Sequence, residues 1–138
     1  MLVYKKKFGS SFEIVDSIVR EIIEKLNEYE KLNISTLLFR ISFMLRELLN
    51  NGVEHGNKFD ESKFIYCEII YHADILEFII RDEGEGIILQ QEDTDIDVLS
   101  ERERGIATIR KLGFELRFNG TTVHVKYCLK DFCEEELS

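Results

Sequence analysis

The stretch Phe43-Met44-Leu45-Arg46-Glu47-Leu48-Leu49-Asn50-Asn51-Gly52-Val53-Glu54-His55-Gly56-Asn57 decides how the rest of the chain is read. From about Ile34 the run is mostly apolar. Leu37, Leu38, Ile41, Met44, Leu45, Leu48 and Leu49 recur at helical spacing, the pattern of a core helix. Glu47, Asn51 and His55 recur at every fourth residue, which stacks a carboxylate, an amide and an imidazole on one flank. By itself such a row also fits the solvated edge of an amphipathic helix. Gly56 is expected to end the helix in left-handed backbone.

Upstream, Leu2 to Phe8 reads as a strand. Ser10-Ser11-Phe12-Glu13 matches a capping box, a hydroxyl at the N-cap with a carboxylate three residues on. Val15, Ile18, Val19, Ile22, Ile23 and Leu26 then trace one apolar stripe, so an amphipathic helix is expected from Ser11 to about Glu30, with Asn33 or Ser35 capping the next. Downstream of Asn57 the apolar period changes to two. Phe64 to Tyr71 and Ile75 to Asp82 read as strands joined by a tight turn across His72-Ala73-Asp74. Leu76, Phe78, Ile80 and Asp82 share a face, so Asp82 ends an apolar row and needs a donor, because an unpaired buried charge is costly.

Asp82-Glu83-Gly84-Glu85-Gly86 carries two glycines on alternate positions, which suits a close backbone approach. The connection from Ile87 to Glu103 is rich in acids, including Glu92, Asp93, Asp95, Asp97, Glu101 and Glu103, and its length is that of a lid or a loosely structured segment. Arg104-Gly105 opens a helix over Ile106 to Leu112; backbone N–H groups at such a start, beside an arginine, suit a phosphate cradle, and by themselves also fit an ordinary helix start after a loop. Phe114, Leu116 and Phe118 alternate into Asn119-Gly120, a hairpin signal. Val123, Val125, Tyr127 and Leu129 make the return strand.

Composition bounds the partners. The chain has 138 residues, 44% of them hydrophobic, enough for one domain over residues 1–138 with a single core. Its net charge is -9, from 27 acids against 18 bases, which argues against nucleic acid as a partner and favours one that presents Arg or Lys. Lys5-Lys6-Lys7 reads as a solvated strand edge. Cys67, Cys128 and Cys133 sit at no metal-ligand spacing and suit reduced thiols in a cytoplasmic protein. No apolar run reaches the roughly 18 residues of a membrane span, and no signal peptide is visible, so no membrane association is expected.

In their order, Glu47-x-x-x-Asn51-x-x-x-His55-Gly56, Asp82-x-Gly84-x-Gly86, Arg104-Gly105-Ile106 and a closing hairpin resemble the GHKL (Bergerat) ATP-binding fold. Within it the chain looks most like the anti-sigma-factor serine/threonine kinases. Histidine kinases resemble this fold too, but carry Asn where Glu47 stands. The resemblance implies an α/β two-layer sandwich, with helices on one face of a mixed, mainly antiparallel sheet and the nucleotide between the layers. It implies ATP with Mg²⁺ as cofactors: Asp82 accepting from the adenine amine, Asn51 holding Mg²⁺, Glu47 acting as general base, and His55 supporting the helix exit. Gly84 and Gly86 would pass close to the nucleotide, and Arg104 and Gly105 would hold phosphates. The implied partners are a STAS-type antagonist protein and a sigma factor, with homodimerisation. The chain departs from the family pattern at Glu103, where glycine is frequent, and at Phe114, where aspartate is common. A nucleotide-gated binding module without phosphotransfer uses the same nucleotide residues and needs no base at Glu47.

Overall fold

The computed structural model describes residues 1–84 and 100–130. Gly86, the acids Glu92, Asp93, Asp95 and Asp97, and Cys133 lie outside the described residues.

Five strands form one open sheet in the order β1-β2-β3-β5-β4. They are β1 (Leu2–Gly9), β2 (Phe64–His72), β3 (Ile75–Arg81), β4 (Glu115–Asn119) and β5 (Thr122–Cys128). Every pairing among the described strands is antiparallel, in line with the mainly antiparallel sheet expected, though without its mixed part. The physical reason is connectivity: two tight hairpins and one long return leave no parallel neighbours among the described strands. Three helices, α1 (Phe12–Asn27), α2 (Ser35–Asn51) and α3 (Glu101–Lys111), complete an α+β sandwich.

Period-two patterning sorts the sheet into two faces. Ile65, Cys67 and Ile69 of β2, Leu76, Phe78 and Ile80 of β3, and Val123, Val125 and Tyr127 of β5 are all buried in the core. Against them pack Val15, Ile18, Val19, Ile22 and Leu26 of α1 and Leu37, Ile41, Met44, Leu45, Leu48 and Leu49 of α2. Phe78 is the largest fully buried side chain, and truncating such a residue to Ala costs about 3–5 kcal/mol. Burial pushes the Cys67 thiol up to about 12, so it packs as an inert small hydrophobe.

The lysine run is a solvated edge, as its pattern suggests. Lys6 pairs with Glu21 at 3.0 Å, and Lys7 lies 4.6 Å from the centre of the Phe64 ring. Charged side chains on an edge strand discourage pairing with another chain.

Several local expectations shift. The N-cap of α1 is Ser11, not Ser10, and it accepts from Ile14 N at 3.2 Å, so no capping box with Glu13 forms. Ser10 is instead buried and engaged elsewhere. A 3₁₀ turn, Glu30–Leu32, follows α1. The N-cap position of α2 is Ile34, without a side-chain cap, so neither Asn33 nor Ser35 serves. In the second hairpin Asn119 pairs with Thr122, which makes Gly120-Thr121 the two turn residues, with Gly120 at φ +60°. Glycine first in a two-residue hairpin loop is the requirement of a II′ turn. In the first hairpin Ala73 and Asp74 both take positive φ, the I′ requirement.

The exit of α2 holds the largest surprise. Gly56 does not take a left-handed conformation; the chain continues through a π-helical turn, Gly52–Gly56, closed by Asn57 N donating to Gly52 O at 2.7 Å. Left-handed backbone comes two residues later, at Lys58 and Phe59. Such π turns are rare and concentrate at functional sites.

Candidate functional site

Two adjoining cavities share the α2 exit. The larger, of about 440 Å³, is lined by Glu47, Asn50, Asn51, Glu54 and His55 from α2 and its π turn. Phe12 and the α3 start, Ser100 to Glu103, complete it. The helical row read from the sequence therefore does face one space. The smaller, of about 20 Å³, is lined by Asn51, Gly52, Ile80, Asp82, Arg102, Phe118, Thr121 and Thr122, among others. Asn51 and Arg102 line both. A depression of about 530 Å³ at Arg110, Phe114 and Lys126 holds none of the motif residues.

Asp82 follows β3 directly and is positioned from three sides. Its backbone N–H donates to Thr121 O at 3.2 Å, and its Oδ1 accepts from Gly84 N at 2.8 Å. Its side chain lies against Gly56, where an added Cβ would overlap the carboxylate. Burial pushes its carboxyl above the ordinary range, opposed by the Gly84 N–H and by the charges of Arg102 and Lys63. Gly84 is needed for a related reason. A Cβ there would fall on the Gly56 backbone carbonyl, so the close approach in this structure is between the two motifs themselves.

Asn57 locks this arrangement and was passed over in the sequence. It is fully buried, its Nδ2 donates to Ser10 Oγ (3.2 Å) and Phe64 O (3.0 Å), and its Oδ1 accepts from Glu83 N (2.8 Å). One side chain thus ties the end of β1, the start of β2 and the loop after β3 to the α2 exit. A polar residue just past a helix that ends beside strand starts was the available signal.

Glu47 is half-buried. Burial raises its carboxyl pKa, and the nearby charge of Glu101 raises it further, so its carboxylate is a stronger base than an exposed glutamate. Gly105 abuts it: a Cβ on Gly105 would overlap Glu47 Oε2, so glycine lets α3 close on α2.

The α3 start corrects the expected phosphate cradle. Ser100 is the N-cap, accepting from Glu103 N at 3.2 Å, and Arg104 N donates to Ser100 O at 3.0 Å. The helix begins one turn earlier than Arg104-Gly105 suggested, because Ser100 with Glu101 and Glu103 makes the better N-terminus. The backbone N–H groups at the start belong to Glu101, Arg102 and Glu103, while Arg104 is exposed and lines neither cavity.

Asn51 is nearly buried, and its Nδ2 has no hydrogen-bond partner; Asn50 Oδ1 is likewise buried and unpaired. Buried polar atoms are rarely left so without a water, ligand or ion; the Nδ2 donor calls for an acceptor oxygen, and Asn51 Oδ1 is the atom that suits a cation. Among the described residues no cluster of three His, Cys, Asp or Glu side chains is placed to hold a metal. An amide ligand completed by phosphate and water oxygens suits Mg²⁺, which retains several waters. His55 is exposed and its Nε2 stands 3.8 Å from the Glu54 carboxylate, a place at the rim.

An antiparallel sheet under α2, with a carboxylate at the end of β3 and an amide across from it, defines an ATPase domain of the GHKL type. The family described as histidine kinase-like ATPase domain matches residues 14–127, and this chain belongs to that family. Comparison with curated proteins finds no match. ATP is the ligand expected of the family, and Asn51 and Arg102 line both cavities.

Proposed function

We propose that the chain is a regulatory serine/threonine kinase of the anti-sigma-factor type. It would use Mg-ATP in the cytoplasm to phosphorylate a small STAS-type protein, and hold a sigma factor or similar partner in the alternative state, working as a homodimer. The observation that carries this reading is Glu47: a half-buried carboxylate of raised basicity facing the same cavity as Asn51 and His55.

Asp82 accepts a hydrogen bond from the exocyclic amine of adenine; guanine puts a carbonyl there, so two acceptors would oppose each other. Asn51 holds Mg²⁺, which when bound neutralises charge on the phosphate oxygens. Glu47 takes the proton of the incoming serine or threonine hydroxyl as its oxygen bonds to the γ-phosphorus and the bond to the β-γ bridging oxygen breaks. Gly105 lets α3 shield that carboxylate. Calorimetric titration tests the nucleotide end: ATP and ADP are expected to bind and GTP to bind weakly, and undiminished ATP binding by Asp82→Asn would remove Asp82 from the adenine site. A pull-down with and without ATP tests the partners; recovering neither a sigma factor nor a STAS protein would count against them.

A nucleotide-gated binding module is the second reading. Glu47, Glu54, Glu101 and Glu103 all line the larger cavity, and four carboxylates oppose a triphosphate poised for transfer. A wild-type chain that binds ATP and its partner but transfers no phosphate over hours would establish the module.

A further inference from the structure

Arg102 stands on the first turn of α3, between the two cavities. On one side it shares the smaller cavity with Asp82, Ile80 and Thr122. With Arg102 there, the remaining space of about 20 Å³ is little more than the roughly 10–15 Å³ that one water needs on the same measure. A purine does not fit in this space, and among the described lining residues Arg102 is the one long, flexible side chain, so its movement is the simplest way to enlarge it. The side chain is also poorly held: its Nε is buried without a hydrogen-bond partner, and among the described residues no direct ion pair joins it to Asp82. A buried, unpaired guanidinium nitrogen gains by exchanging this seat for one with oxygen acceptors.

On its other side lies the larger cavity, where Glu47, Glu54, Glu101 and Glu103 contribute four carboxylates. Among the described lining residues Arg102 is the one permanently charged cation. Phosphates entering there meet net repulsion unless Arg102 turns toward them, and that same turn clears the space beside Asp82.

We infer that Arg102 is a selectivity residue that couples the two ends of the site: its guanidinium holds the nucleobase position beside Asp82, and phosphates draw it away. A ligand with a base but no phosphates must displace Arg102 with nothing to offer it. A ligand with phosphates offers bidentate, charge-assisted hydrogen bonds. The site therefore discriminates ATP and ADP from adenosine by more than phosphate contacts alone would give. This inference rests on the nucleotide reading above.

The test is the ratio of adenosine to Mg-ATP dissociation constants, measured by calorimetry on the full chain in the wild type, Arg102→Ala and Arg102→Gln. The substitutions are expected to tighten adenosine severalfold and weaken ATP about tenfold, the scale of one charged hydrogen bond. The ratio thus collapses by more than tenfold, and Arg102→Lys should recover part of the ATP affinity. Arg102→Gln keeps length and polarity, so the test stands even if the Ala variant does not fold. Adenosine binding that is unchanged or weaker in the variants, with ATP still bound, overturns the role of Arg102 and leaves the nucleotide reading intact. A wild-type chain that binds no nucleotide at all overturns both.

Discussion

The two ends of the site are built in opposite ways. Around Asp82 the chain is interlocked: Gly84 packs on the Gly56 backbone, Gly56 on the Asp82 carboxylate, and Asn57 makes three side-chain hydrogen bonds, to Ser10, Phe64 and Glu83. Around Glu47 the cavity is acidic and under-satisfied, with Asn50 Oδ1 and Asn51 Nδ2 buried and unpaired. The contrast teaches that contact between motifs fixes one end, while the other keeps polar groups without partners. On the nucleotide reading proposed above, the fixed end would meet the base and the unpaired groups the phosphates.

The largest expected effect lies at the acidic end. Glu47→Gln keeps shape and hydrogen-bonding reach but removes the base, so phosphotransfer to the cognate partner should fall about 10²- to 10⁴-fold with ATP affinity within a few fold. Transfer at the wild-type rate would show that Glu47 is not the base.

The locked end should answer in stability instead. Gly84→Ala places a methyl on the Gly56 carbonyl, where backbone must shift, and is expected to cost about 3 kcal/mol in denaturant unfolding. Asn57→Ala should cost about 2 kcal/mol, since buried partners at Ser10 and Phe64 lose their donor. Loss of only a few tenths in both would mean the interlock is not what holds Asp82.

Acidity gives a subtler contrast. The folded pKa of Glu47 is raised above its unfolded value near 4.5, so the folded state binds the extra proton within that window. Stability associated with this group is thus fully present below the unfolded value and is lost as pH rises through the folded one. Glu47→Gln should therefore melt at or above the wild-type temperature at pH 7, with the gap closing as pH falls toward 4.5. A wild type that melts higher at pH 7 would contradict the burial assigned to Glu47. Smallest of all, Glu101→Gln removes one repelling charge. It should tighten ATP by a few fold at low salt, fading as salt rises, and move the acid limb of the transfer rate to lower pH.

Local pattern carried most of the fold. The period-two rows of β2, β3 and β5 and the helical stripes of α1 and α2 depend only on which side chains must leave water, so they were legible one residue at a time. The row Glu47, Asn51, His55 and the apolar row ending at Asp82 were legible for the same reason. What the chain could not announce were features set by contact between distant segments. The need for glycine at 56 and 84 comes from Asp82 and from the Gly56 backbone, each far along the chain, while at 105 an added Cβ would meet the movable end of Glu47 on α2. The approach of the π turn to Asp82 and the buried place of Asn57, where three strand ends converge, are of this kind, whereas the Ser100 cap of α3 is local. Arg102 reads in sequence as one charge among the acids of a helix start; only the packing of α3 against α2 brings it to the cavity it shares with Asp82. Sequence by itself determined which faces are apolar and which motifs recur, because those follow from hydration and local geometry. Tertiary structure alone decided which motif touches which, because the free energy of a close contact belongs to both partners and is written at neither position.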